Sequence, residues 1–125
     1  MADLSEIFLC LSHLERETAD FYVSLSGRVR DEKVRALLLF IGMDSSKHSN
    51  LFKDLSGLES AEAEGCEELL GEMFSECVSL LRELEEKVRG KQEVEEEILP
   101  EIIRKLVEYE DKLGEEYLWK YMLRS

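Results

Sequence analysis

The chain has 125 residues and a formal net charge of −13, with 29 acidic residues against 16 basic ones. This length suits one domain with a modest core, and the acidic balance argues against binding to nucleic acid or to an anionic membrane surface. Apolar residues make up 44% of the chain, and no run approaches the roughly 18 apolar residues of a membrane span. One proline among abundant Leu, Glu, Lys and Arg predicts an almost wholly helical protein.

The first two predicted helices occupy about residues 5–26 and 31–55. Gly27 is a natural terminator for the first helix, and Asp31 is a typical cap for the second, which ends before Gly57. The inward stripe of the second helix is predicted to comprise Val34, Leu37/Leu38, Ile41, Asp44/Ser45, His48, Phe52 and Leu55.

The third and fourth predicted helices occupy about residues 66–89 and 93–124. Gly90 ends the third helix, and Pro100 either opens the fourth or kinks its first turns. Helices this short cannot bury their apolar stripes alone, so we expect one all-α domain over residues 1–125, a four-helix bundle built from two helical hairpins. Whether a hairpin or a long crossover joins the second helix to the third stays open.

The cysteines and the N-terminal residues predict the cellular compartment of the protein. The first residues lack the basic start and the small-residue cleavage site of a secretory signal. Cys10, Cys66 and Cys77 form no C-x-x-C pair. An odd count without a signal peptide predicts reduced thiols in the cytoplasm, with Cys66 and Cys77 as small core residues.

Polar residues interrupt the apolar stripes of the predicted helices. Glu15 has apolar neighbours a turn or two away on both sides, so its carboxylate must take up a proton or find a positive partner. Helical spacing brings further polar residues to a similar depth in the bundle, namely Asp44, His48, Glu76 and Glu110. Carboxylates and an imidazole at one level predict a metal site that suits iron, manganese or zinc.

Two segments carry a resemblance to a known family. HLERETADFYVSLSG and VRALLLFIGMDSSKHSNLFKDL resemble the first helical pair of ferritin-like proteins, especially the rubrerythrin branch. In that family a ligand Glu precedes a Tyr by seven residues, as Glu15 precedes Tyr22, and a Glu-x-x-His motif follows, whose histidine matches His48. KLVEYEDKL is similar to the second such motif, with Glu110 as its acid. The resemblance implies a four-helix bundle with a carboxylate-bridged di-iron centre that reacts with oxygen or peroxide.

The chain departs from that ligand set at two positions. Ser45 stands where the first motif has Glu, with Asp44 one residue away, and Leu113 stands where the second motif has His. Two of the six ligands that the family implies are therefore missing or displaced. The predicted metal ligands are those that remain, with Asp44 as a substitute: Glu15, Asp44, His48, Glu76 and Glu110.

Two hypotheses of function follow. The first is a ferritin-like metalloprotein that binds iron or another divalent metal at an incomplete site and acts in oxygen, peroxide or iron handling; whether it is an enzyme stays open. The second is a metal-free degenerate bundle that serves as a structural or protein-interaction module. Aromatic residues near the C-terminus predict a contact surface, for which a homodimer is the first interpretation: Tyr109, Tyr117, Trp119 and Tyr121.

Overall fold

The computed structural model describes residues 4–58 and 65–113. The elements in chain order are α1 (Leu4–Ser26), α2 (Glu32–Ser56), α3 (Cys66–Leu70), α4 (Glu72–Val88) and α5 (Leu99–Leu113). Throughout the described ranges the regular structure is helical, which confirms the all-α prediction. No helix in these ranges is both long and apolar enough to cross a membrane.

The ends of α2 lie where the capping residues predicted them. The Asp31 carboxylate accepts hydrogen bonds from the backbone N–H groups of Lys33 and Val34, which have no partner inside the helix. Gly57 takes φ of 66°, a left-handed conformation that glycine adopts without strain, and ends the helix.

The third predicted helix, over residues 66–89, is wrong as a single element. Gly71 divides it into α3 and α4 because this residue has φ of 78° and ψ of −160°, a backbone conformation that L side chains rarely adopt. The apolar pattern continues across the break, so periodicity alone did not indicate it.

The fourth predicted helix begins later than residue 93. Val94 is buried, and its backbone N–H donates to the Arg28 carbonyl at 2.7 Å, which holds this segment against the end of α1 in a non-helical conformation. α5 starts at Leu99, so Pro100 occupies the first turn, where its missing N–H leaves no helical bond unmade. The predicted end at residue 124 lies outside the described residues.

Small residues bring α1 and α2 close together. Ser12 Oγ donates to the Ser49 carbonyl at 2.7 Å, and Ser49 Oγ donates to the Ser12 carbonyl at 2.8 Å, so the two helices exchange buried hydrogen bonds. At Gly42, an added Cβ would lie 3.1 Å from Tyr22 Cβ, which is tighter than ordinary contact. Serine and glycine on α2 therefore set the distance between the two helices.

Because small residues of α2 form the contact with α1, the inward face predicted for α2 is partly wrong. The buried residues of α2 are Leu38, Gly42, Ser45, Ser49 and Ser56. The larger apolar residues Leu37, Ile41 and Leu55, which the pattern placed inward, are exposed. The small residues form the contact because they permit a closer approach of α1 than leucine or isoleucine would allow.

The remaining helices pack around α1 and against each other. α1 approaches α3 and α4, and α4 packs along α5. In the part of the chain that the structure describes, α2 approaches α1 alone, with no Cα atom of α2 within 8 Å of α3, α4 or α5. A closed bundle of two hairpins therefore stays a prediction.

The prediction of reduced cysteines is wrong for two of the three. Cys10 on α1 and Cys66 on α3 form a disulfide, with Cα atoms 5.5 Å apart, while Cys77 is a free thiol in the core. The pairing follows from the packing of α3 against α1, a contact between distant parts of the chain. Because disulfides are rare in reducing compartments, this bond argues against the cytoplasmic location, which stays a prediction.

Candidate functional site

Glu15 is the buried centre of the candidate site. It lies on α1 with only 7% of its surface exposed, and its Oε2 atom is buried without a hydrogen-bond partner. Burial, together with the nearby charges of Glu110 and Asp44, raises the pKa of this carboxyl from 4.5 to about 8. The carboxyl is therefore mostly protonated at neutral pH.

His48 and Asp44 bring two further polar groups from α2 to this carboxyl. The Nδ1 atom of His48 lies 3.5 Å from Glu15 Oε2, and its Nε2 atom lies 3.8 Å from Asp44 Oδ2, one helical turn away. Both α2 side chains are about half exposed. The imidazole thus stands between a buried carboxyl and a solvated one, at the edge of the core.

Glu110 approaches the same site from α5. It is half-buried, and its Oε1 atom accepts a hydrogen bond from the Tyr22 hydroxyl at 3.0 Å. Burial raises the pKa of Glu110, while the bond from Tyr22 and the charge of His48 oppose that rise. Burial also raises the pKa of Tyr22, so its hydroxyl keeps its proton and acts as a donor.

A hydrogen-bonded pair lies at the helix interface beside the site. The Thr18 hydroxyl donates to the Leu14 carbonyl at 2.8 Å, one turn back on α1. It also bonds the hydroxyl of Tyr109, which is fully buried. Because the single Thr18 proton is used on Leu14, Tyr109 is the donor to Thr18. This bond ties α1 to α5 next to Glu110.

The fifth predicted ligand, Glu76, lies away from the site. It is exposed on α4, and its carboxylate forms an ion pair with Lys112 of α5 at 2.7 Å. Ser45 and Leu113, which replace two ligands of the ferritin-like pattern, are both buried. The structure therefore brings Glu15, Asp44, His48 and Glu110 together and leaves Glu76 outside.

The arrangement is an incomplete ligand set. Across residues 4–58 and 65–113, no group of three or more His, Cys, Asp and Glu side chains is placed to hold a metal ion. The Glu15–His48 pair nevertheless offers one oxygen donor from α1 and one nitrogen donor from α2. Chemically, such a pair can exchange a proton or bind one small cation.

Tyr22 is the part of the site whose role the sequence did not predict. Its spacing from Glu15 marked it as part of the ferritin-like pattern, but its bond to Glu110 joins residues 88 positions apart. One feature of the sequence did indicate such a bond. The Tyr22 hydroxyl lies two turns from Glu15 on the same apolar stripe, and a buried tyrosine hydroxyl usually has a hydrogen-bond partner.

Comparison of the chain with models of protein families, with curated proteins and with solved structures gives no match. The ferritin-like resemblance therefore depends on the residues quoted above.

Proposed function

We propose that this protein binds one divalent cation, in a ferritin-like four-helix bundle whose di-iron site is incomplete. The observation that carries the proposal is the buried Oε2 atom of Glu15, which has no hydrogen-bond partner and faces the His48 imidazole. A buried carboxyl without a donor is costly, and a bound cation would offset that cost.

The distance between the two donors suits a single ion. Two donors that each lie about 2.1 Å from one cation at the tetrahedral angle are roughly 3.4 Å apart. The Nδ1 atom of His48 and the Oε2 atom of Glu15 are 3.5 Å apart. Asp44 and Glu110 would contribute further oxygen atoms after a change of rotamer. Ser45 and Leu113 offer no ligand for a second ion, so we propose one cation per chain.

Binding at this pair would be linked to a proton. Because the pKa of Glu15 is about 8, a cation that binds at pH 7 must displace its proton. We therefore expect the release of about one proton from Glu15 per ion at pH 7, and an affinity that rises about tenfold between pH 6 and pH 7.

The decisive experiment is anaerobic equilibrium dialysis of the full chain against Fe(II), with Zn(II) and Mn(II) in parallel. The wild type should bind about one ion per chain, and Glu15→Gln should weaken binding by at least about tenfold. An optical spectrum after exposure to air or peroxide would then test the oxygen chemistry that the resemblance implies.

Glu76→Gln is the matched control, because it makes the same substitution at a predicted ligand that lies outside the site. Its affinity should equal that of the wild type. Less than about 0.2 ion per chain in the wild type, or equal losses in the two variants, would contradict the proposal.

A second candidate function is a protein-interaction module that forms a homodimer. Tyr109 cannot contribute to the aromatic surface predicted near the C-terminus because it is fully buried, and Tyr117, Trp119 and Tyr121 lie outside the described residues. A different surface favours this function. We call it the α2 stripe, a row of exposed residues on α2 that comprises Leu37, Phe40, Ile41, Asp44, His48, Leu51 and Leu55.

A further inference from the structure

The α2 stripe is a row of exposed side chains that is apolar at both ends and polar in the middle. Phe40 is 71% exposed, and Leu37 and Leu51 are 62% and 55% exposed. From residue 37 to residue 55 the stripe extends about 27 Å along the helix. Single exposed apolar residues are common, but a row of this length is typical of an interaction surface.

The spacing of the stripe is that of a helix that pairs with another helix. Its positions 37, 41, 44, 48, 51 and 55 alternate steps of four and three, the pattern that keeps one seam against a partner helix. Within the described ranges, α1 is the only helix with Cα atoms within 8 Å of α2, and its Glu15 carboxyl reaches the stripe at His48. The apolar residues on both sides of that contact, including Leu37, Leu51 and Leu55, stay exposed in those ranges.

The order of charged and apolar residues in the stripe favours a second copy of this chain as the partner. Asp44 and His48 lie at the centre, with apolar residues on both sides. When two copies of the stripe pair in opposite directions, one register sets His48 against Asp44 of the partner subunit, and two-fold symmetry repeats this contact. His48 Nε2 already lies 3.8 Å from Asp44 of its own chain, and this register adds the carboxylate of Asp44 of the partner subunit as an acceptor for the imidazole N–H.

The same register also matches the apolar residues. Leu51 faces Ile41 of the partner subunit, and Leu55 faces Leu37 of the partner subunit. Parallel pairing in register would instead set Asp44 against Asp44 of the partner subunit, where like charges repel. A lipid surface would have to accommodate Asp44 in the middle of the contact, next to a chain of net charge −13.

We propose that the protein forms an antiparallel homodimer through the α2 stripe, with His48 of each subunit against Asp44 of the partner subunit. This inference rests on the second candidate function, which it deepens by assigning the surface, the direction and the register. It does not require a bound cation.

The first test is sedimentation velocity of the full chain in EDTA, at about 10–200 µM protein. The wild type should sediment with twice the mass of the chain, and Leu51→Lys should raise the dissociation constant at least about tenfold. Met43→Lys is the matched control: Met43 is also exposed on α2, by 61%, but lies outside the stripe. This control should dimerise as the wild type does.

The second test determines direction with cysteine cross-linking. Ile41→Cys and Leu51→Cys chains are each oxidised alone and then as a mixture. The antiparallel register predicts a disulfide between the two different chains in the mixture and little cross-linking of either chain alone. The native cysteines do not interfere, because Cys10 and Cys66 are bonded and Cys77 is buried.

The outcomes separate the inference from the function that it deepens. A wild type that stays monomeric at 200 µM would overturn both the pairing through the α2 stripe and the homodimer function. The same holds for a monomer that binds neutral phosphatidylcholine vesicles instead. A dimer that Leu51→Lys leaves intact would overturn the α2 stripe but keep the homodimer. Cross-linking of each variant with itself would overturn the antiparallel register.

Discussion

Glu15→Gln should make the stability of the protein less sensitive to alkaline pH. The folded-state pKa of Glu15 is raised from 4.5 to about 8, so its contribution to stability is full below pH 4.5 and is lost as pH rises toward 8. Glutamine keeps the size of the protonated side chain but cannot ionise. Integration of the proton linkage predicts that the variant gains about 3 to 4 kcal/mol relative to the wild type between pH 5 and pH 8.

Urea denaturation of both proteins in EDTA, at pH 5, 6, 7 and 8, measures this difference. Glu17→Gln is the control, because Glu17 is exposed on the same helix and undergoes the same substitution. Its free energy of unfolding should stay within about 0.5 kcal/mol of the wild type. If the difference between Glu15→Gln and the wild type is constant over this range, Glu15 does not carry a buried proton in the folded protein.

Three further predictions concern the packing around α1. Cys10→Ser removes a cross-link to Cys66 that spans 56 positions, so it should lower the free energy of unfolding by about 4 kcal/mol and abolish the effect of a reductant in urea denaturation. Gly42→Val should destabilise the protein by about 2–3 kcal/mol through overpacking against α1, measured by thermal denaturation; an unchanged melting temperature would contradict the tight contact. Tyr109→Phe should cost about 1 kcal/mol, because Thr18 loses a donor but keeps its bond on α1; a cost above about 3 kcal/mol would indicate a larger network.

Helix existence and most helix ends were predictable because they depend on local chemistry. Asp31 caps α2 with its own carboxylate, and Gly57 ends that helix in a left-handed conformation. Both effects act within a few residues, so the sequence contains them directly. Gly71 shows the limit, since a glycine inside an apolar pattern is compatible with a continuous helix as well as with a break.

The buried face of α2 could not be predicted because this helix carries two stripes at helical spacing. One contains Leu37, Ile41 and Leu55, and the other contains Gly42, Ser45 and Ser49. Hydrophobicity selects the first stripe for the core, but close approach of α1 selects the second. Sequence periodicity reports that a face exists and does not report how near the neighbouring helix can come.

The site was predictable where a single helix determines the environment of a residue. Glu15 is surrounded by apolar residues of α1 itself, so its burial was confirmed. Glu76 lies on the flank of its stripe, and its exposure depends on Lys112 and on the rotation of α4 against α5. The Cys10–Cys66 bond likewise depends on how two distant helices meet, which cysteine spacing does not contain.

The two proposals meet at His48 and Asp44, and this determines which variants can separate them. His48 faces Glu15 on one side and belongs to the exposed α2 stripe on the other, so a change there would alter cation binding and dimerisation together. Glu15 is buried, and Leu51 belongs to the stripe alone. If both proposals hold, the two equilibria share His48 and Asp44, and any effect of one on the other is reciprocal. Cation affinity would then depend on protein concentration.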